Sequence, residues 1–523
     1  MKTRRAANRR ADRRVGAVAR EDGREVHASG RDVIELALCK GQKERGSCVR
    51  KKFAVDTDDL LTTLGGDAVR SAIEKPHNPH QPPRTPRQRP QLLREAVQPR
   101  RALGQVRLGL GRLRRPLSTI CTVKHHVHQR RRATLNPFFS KARVAGRIDI
   151  VQRSVLELCR KVDEFAAGSR SVARISLGAA ISAFTRDVAT EFVIGKRYHI
   201  LDAQDFNAET ATLPQTSGSL WQSSKHFPWY VSLMKRMPAF MVKRTGGDGV
   251  NAFIFFLQDM MKVTMEYYST LTSAPPNDDG PGDKTRTIVY EILNAPIPPA
   301  EKSLSRVFEE VGTITRGGFE TVANSLRMIL YHIYADQEVL RRLRLELSGA
   351  RRDKTTNNHA SLDIGLGTIE QLPYLTAVLM EGLRLSPGLS TRAQRIAPDR
   401  DLVYDNRVIP AGTPIGMTTL LMHYDPALYP DPKRFDPERW MDRGLGERPR
   451  RPMLPLGGAP GSVLGCSNLA WAELYLVVAA LVQRFDFRFD PAAMADVECS
   501  SDQFIIGTSG WDGLKTFVSR VPV

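Results

Sequence analysis

The clearest pattern of apolar and polar positions lies near the end of the chain. Leu469, Ala472, Leu476, Ala479 and Ala480 recur at helical spacing, and the polar Gln483 ends the row. Ser467 or Asn468 can cap that helix. A longer periodic stretch runs from Lys302 to Tyr334, with Leu304, Val307, Phe308 and Val311 on one stripe and Leu326, Ile329, Leu330 and Ile333 on another. The spacing predicts one long helix there. Leu375 to Leu385 predicts a further helix, stopped by Pro387, and Phe253 to Met265 another. Asp401 to Pro414 reads as short strands around turns, and Phe485 to Phe489 and Phe517 to Val521 as terminal strands. Residues 141–300 alternate helical segments with turns, and Ser273 to Lys284 is a Pro/Gly/Asp-rich loop. These elements add up to a mainly α fold with a small β portion.

Residues 1–116 do not share this pattern. Their most apolar stretch is Val33 to Leu38, and Pro76, Pro79, Pro82, Pro83, Pro86 and Pro90 crowd a segment rich in Arg, Gln and His. Such a composition cannot bury enough apolar surface to offset chain entropy, so it predicts a largely disordered segment. It also changes the meaning of the charge. The chain carries +21, but residues 1–116 hold 28 Lys and Arg against 13 Asp and Glu, so the rest is only mildly basic. A nucleic-acid-binding arm is the functional alternative, yet Phe53 is its only aromatic residue and base stacking has no platform. Six cysteines in 523 residues, with no CxxC pair, are not a disulfide framework and point to a reducing compartment. No apolar run reaches the roughly 18 residues of a membrane span, and no apolar signal region follows the basic N-terminus.

Four places offer chemistry. The glycine-rich loop before the last large helix carries Cys466, where the positive end of the helix dipole favours thiolate; a thiolate there can be an axial haem ligand, or the cysteine can be an inert core residue. Within the long helix, Gly317 and Gly318 each cost about 1 kcal/mol relative to Ala. They suit close approach of a flat or bulky group, a kink, or helix–helix packing. Glu320 and Thr321 follow at once and could carry protons to a ligand bound there. His128 and Arg132, four apart, share a helix face that could hold carboxylates, before a turn at Asn136-Pro137. Glu381 and Arg384 are i,i+3 neighbours, and Arg439 is a plausible third member of their group.

In this order the pieces resemble a cytochrome P450, most like the fungal enzymes of secondary metabolism, from about residue 117 to the end. Glu381-Gly-Leu-Arg384 looks like the family's ExxR element, and Phe435-Asp-Pro-Glu-Arg439-Trp like the segment completing its Glu-Arg-Arg triad. Gly317-Gly-Phe-Glu320-Thr321 resembles the oxygen-binding groove, and His128 to Arg132 the helix that contacts haem propionates. The resemblance implies a P450 fold over residues 117–523 and haem b as cofactor. Cys466 would be the axial ligand, and His128, Arg132 and Arg392 the propionate partners. It also implies an NADPH–cytochrome P450 reductase, a lipophilic small-molecule substrate and the endoplasmic reticulum membrane, although the chain shows no anchor. The reaction implied is insertion of one oxygen atom from O2.

The chain departs from the family at the cysteine loop. The family pattern is Phe-x-x-Gly-x-Arg-x-Cys-x-Gly. Placing Leu456 in the Phe slot puts Val463 in the cysteine slot and Gly461 in the arginine slot; aligning on Leu469-Ala470 puts Leu464 in the cysteine slot. In the second register Cys466 lies two residues nearer the helix, roughly 3 Å along a helical axis. Residues 1–116 have no counterpart to the family's anchor and hinge. The alternative is therefore a faulty gene model or a decayed gene, with a P450-fold product that binds no haem productively and has no catalytic activity.

Overall fold

The computed structural model describes residues 117–167, 174–207, 247–273, 286–352, 365–391, 393–404, 407–441, 467–510 and 513–522. Before them it describes three short strands, β1 (Val33–Leu36), β2 (Lys51–Ala54) and β3 (Gly104–Gln105). The chain divides into two units, Met1–Pro83 and Arg84–Val523. In the first, β1 and β2 pair antiparallel. The rest of residues 1–116, for which disorder is expected, lies outside the described residues, as does most of the loop over Ser273 to Lys284.

The second unit is built mainly from helices: α1 (His125–Leu135), α2 (Ile148–Ala167), α3 (Leu177–Ile194), α4 (Gly247–Ser273), α5 (Ile288–Asn294), α6 (Leu304–Gly317), α7 (Glu320–Ala335), α8 (Gln337–Arg352), α9 (Pro373–Leu385) and α10 (Ser467–Arg484). Its strands are β3, β4 (Arg174–Ser176), β5 (Ala393–Ile396), β6 (Leu402–Tyr404), β7 (Arg407–Ile409), β8 (Pro414–Met417), β9 (Phe485–Phe489), β10 (Ser501–Gln503), β11 (Ile505–Gly507) and β12 (Lys515–Arg520). They form small antiparallel sheets in the orders β4-β12-β9, β3-β5-β8, β6-β7 and β10-β11. The mainly α architecture expected from the sequence is the one observed.

Helix α10 sits at the centre of the core. From Leu469 to Val482 nearly every side chain is buried, because α2, α7 and α8 pack around it. Helix α2 turns an apolar stripe inward, Val151, Val155, Leu158 and Val162, against α3 and α10. Asn468 does not cap α10; its side-chain amide donates to the Phe139 carbonyl at 2.7 Å, tying the N-terminal end of α10 to the turn that follows α1.

The long helix expected over Lys302–Tyr334 is two helices. Helix α6 ends at Gly317, Phe319 leaves helical geometry at φ −75° and ψ −86°, and α7 starts at Glu320. The break coincides with a close approach to α3. A Cβ on Gly318 would lie 2.9 Å from the Ala189 Cβ, so this glycine serves helix packing, one of the roles its sequence context left open. A second close contact joins α7 to α9, where a Cβ on Gly382 would lie 2.1 Å from Ile329 Cγ1. Among the described residues no helix is long and apolar enough to cross a membrane.

Candidate active site

The kink between α6 and α7 fixes Thr321 and Glu320 in different surroundings. The half-buried Thr321 hydroxyl donates to the Gly317 carbonyl at 2.7 Å, across the break. Glu320 is buried and faces two arginines: Arg186 of α3 donates to Oε1 at 3.2 Å, and Arg327, two turns along α7, donates to Oε2 at 3.1 Å. The Ser182 hydroxyl adds a bond to Oε2 at 3.3 Å. Burial alone pushes the Glu320 carboxyl up, but Arg327 and Arg186 outweigh it and hold it below the ordinary carboxylate range. The Arg186 guanidinium also lies 6.0 Å from the Phe319 ring, so α3 supports the kink from several sides. Glu320, expected as a proton carrier, is thus a member of an ion cluster with Arg186 and Arg327.

A second group of charges gathers between α1 and β5. His128 is buried, and burial, Arg132 and Arg395 together bring its pKa down to about 4. Arg395 of β5 is itself lowered by burial and by Arg132. Three nitrogen-bearing side chains that disfavour each other's charge meet there, an arrangement suited to a bound carboxylate pair. Sequence reasoning named Arg392, which lies outside the described residues; it did not name Arg395, three residues on. Helix α1 ends in the turn to which Asn468 is bonded, so the cationic group and the N-terminal end of α10 belong to one region. Cys466 directly precedes α10 and lies outside the described residues.

The structure brings Glu381, Arg384 and Arg439 together. Arg384 and Glu381 form a two-point pair, and Arg439 Nε donates to Glu381 Oε1 at 3.2 Å. Trp440 Nε1 donates to Oε2 at 2.9 Å and the Asp436 amide to Oε1 at 3.0 Å. The remaining Arg384 hydrogens go to the carbonyls of His423, Pro432 and Arg434, and Arg439 Nη2 donates to the Asp431 carbonyl. A buried ion pair is tolerated when its polar atoms are satisfied in this way. Among the described residues no cluster of three His, Cys, Asp or Glu side chains could hold a bare metal ion.

Among the described residues, the chemistry present suits the two propionates of a tetrapyrrole. The cationic group at α1 and β5 has the donor chemistry for the carboxylates, and Cys466 adjoins a helix N-terminus, where thiolate is favoured.

A family model described as Cytochrome P450 matches residues 112–510. The chain is 32% identical over 389 residues to N-acetyltryptophan 6-hydroxylase ivoC of Emericella nidulans, covering 74% of this chain and 73% of that one. It is 34% identical over 372 residues to cytochrome P450 monooxygenase tpcC of Cochliobolus heterostrophus, with 70% and 67% covered. Tryptophan 6-hydroxylase fscE of Fusarium equiseti is 30% identical over 389 residues, with 74% and 73% covered. Among solved structures, retinoic acid-bound cyanobacterial CYP120A1 has the same fold, with a TM-score of 0.61 at 19% identity over 82% of this chain and 88% of that one.

Proposed function

Because this chain belongs to the cytochrome P450 family, we propose that its monooxygenase activity depends on haem b held by Cys466 and by the cationic group His128, Arg132 and Arg395, with Arg392 as a further candidate. The chain is a P450-type monooxygenase of secondary metabolism, a family that uses haem iron, a redox partner and lipophilic substrates. When bound, haem supplies the activation of O2 and the insertion of one oxygen atom into a lipophilic small molecule. The observation that carries the reading is the grouping of His128 and Arg132, about one turn apart on α1, with Arg395 of β5, where a dicarboxylate relieves mutual repulsion.

The other residues take their parts from their contacts. Gly317 and Gly318 form the break in the helix, and Thr321 holds a proton on Oγ1 shared with the Gly317 carbonyl. That hydroxyl is the group placed to pass a proton. Glu320 anchors the turn that carries Thr321: paired with Arg186 and Arg327, it is held as a carboxylate. Glu381, Arg384 and Arg439 brace the core beside α7 and α9. Electrons come from NADPH–cytochrome P450 reductase, and the haem domain spans residues 117–523. Two relatives carry names of indole amino-acid hydroxylases, so tryptophan and N-acetyltryptophan are the first substrates to assay.

The test is spectroscopic. The full-length protein is reduced and exposed to CO; the red-shifted Soret band of a thiolate-ligated complex is expected, and Cys466→Ala abolishes it. A folded protein without that band would instead be a P450-fold chain with no productive haem, the outcome that the altered cysteine loop makes worth testing. An unchanged band in Cys466→Ala would overturn the ligand assignment.

A further inference from the structure

Helix α1 has no apolar stripe to set its rotation. Its buried side chains are His128, Arg131 and Leu135, and only the last is apolar. It carries three successive arginines, Arg130, Arg131 and Arg132, and no acid. On a helix these point about 100° apart, so the roll of α1 sets which guanidinium faces which partner. The polar contacts decide which one turns where. Glu301, from the short turn Pro299–Lys302 before α6, accepts from Arg131 Nε at 2.7 Å and from Arg131 Nη2 at 3.1 Å. The third donor edge of Arg131 reaches the Thr122 hydroxyl at 2.7 Å. Glu301 also meets Arg306 of α6 at 3.4 Å, and Arg306 pairs with the fully buried Glu310, which takes the Thr119 amide at 2.9 Å. Arg131 is therefore consumed by an ion network rooted in α6, while Arg132 and His128 lie within electrostatic reach of Arg395.

We propose that Glu301 is a positioning residue for the anion site: by taking Arg131 at two points it fixes the roll of α1 that presents His128 and Arg132 to the cofactor's carboxylates. The assignment rests on the haem reading above. It predicts a sign opposite to that of simple electrostatics. Neutralising a carboxylate near an anion site raises the local positive potential and would tighten anion binding. Loss of positioning weakens it.

The experiment titrates the full-length chain, expressed without haem supply, with iron protoporphyrin IX and with its dimethyl ester, which lacks the two charges, and follows the Soret band. Glu301→Ala is expected to weaken binding of the diacid about tenfold, in the range seen when groups that orient a ligand-holding side chain are removed, and Glu301→Gln by less. Both variants should bind the dimethyl ester as the wild type does. Equal losses for the two porphyrins would reduce Glu301 to a structural residue, and tighter binding of the diacid would leave only the electrostatic effect; either overturns the proposal. Glu301→Gln keeps the shape of the side chain, so it answers the question should the alanine variant fail to fold. A wild-type chain that takes up neither porphyrin removes the haem reading, and this assignment falls with it; losses confined to the variants leave that reading intact.

Discussion

Arg384 meets Glu381 edge to edge, Nε to Oε2 at 2.9 Å and Nη2 to Oε1 at 2.8 Å, and neither side chain reaches solvent. Each carboxylate oxygen accepts further bonds from Arg439, Asp436 or Trp440, so removing one member strands several others. Glu381→Ala leaves two buried guanidinium groups without their anion and is expected to cost about 3–5 kcal/mol. Urea unfolding of the variant should show a midpoint far below that of the wild type, or no folded protein. A loss under 1 kcal/mol by that measurement would mean that the cluster is not closed as described.

Gly382 predicts a second stability effect, of different origin. A Cβ there meets Ile329 Cγ1 at 2.1 Å in the contact between α9 and α7. Gly382→Ala is expected to destabilise by about 1–3 kcal/mol through overpacking. Ile329→Ala alone opens a cavity, yet it removes the Cγ1 that a Gly382 Cβ meets, so combined with Gly382→Ala it should cost less than the sum of the two. A double-mutant cycle measures this coupling; strict additivity would argue against the contact.

The sequence made some of this readable and concealed the rest for definite reasons. Glu381 and Arg384 are three apart on one helix, so local geometry alone suggests the pair, and the order of the motifs supplied Arg439. The two glycines announced a special point in the long helix, but the partner that explains Gly318, Ala189, lies far away in the chain. Arg186 was hidden for the same reason, whereas Arg327 could have been noticed, seven residues after Glu320 and on the same helix face. Arg395 lies on β5, and its approach to α1 depends on the register of β3, β5 and β8, which no local pattern encodes. The run Arg130-Arg131-Arg132 is equally mute until Glu301 is placed beside it.

Two histidines away from the cationic group, the half-buried His332 and the buried His423, predict the response to acid. His332 stacks on Phe435 at 4.8 Å, and His423 Nδ1 lies 2.8 Å from the Arg384 carbonyl. Burial, with Arg384 adding to it, pulls His332 from the ordinary 6.5 to about 4, and burial lowers His423 to the same value. Both are neutral in the folded protein, whereas the unfolded chain takes up protons at the ordinary value. Their contribution is therefore complete above pH 6.5 and is lost as the pH falls towards 4. His332→Phe preserves the stacked ring and removes one of these protons, so between those pH values it should lose about 3 kcal/mol less stability than the wild type. Denaturant unfolding across the pH series tests this, and parallel curves for the two proteins would contradict it.

Thr321 and Glu320 are neighbours with different assignments, and paired substitutions separate them. Thr321→Val keeps the shape and removes the hydroxyl bonded to Gly317, at a cost of about 1 kcal/mol in stability. If that hydroxyl passes a proton, product formed per NADPH consumed should fall steeply and turnover by about a hundredfold, with Thr321→Ser restoring most of it. Glu320→Gln behaves differently on the anchoring assignment. It leaves Arg186 and Arg327 buried without their counter-charge, so the loss falls first on stability, at about 3–5 kcal/mol, and cooling or osmolyte should recover activity along with the folded fraction. Were Glu320 instead the proton carrier, the glutamine variant would stay folded and its residual turnover would lose the wild type's pH dependence. Measuring unfolding and the pH–rate profile on the same Glu320→Gln preparation distinguishes the two, because an anchor moves the first and a proton carrier moves the second.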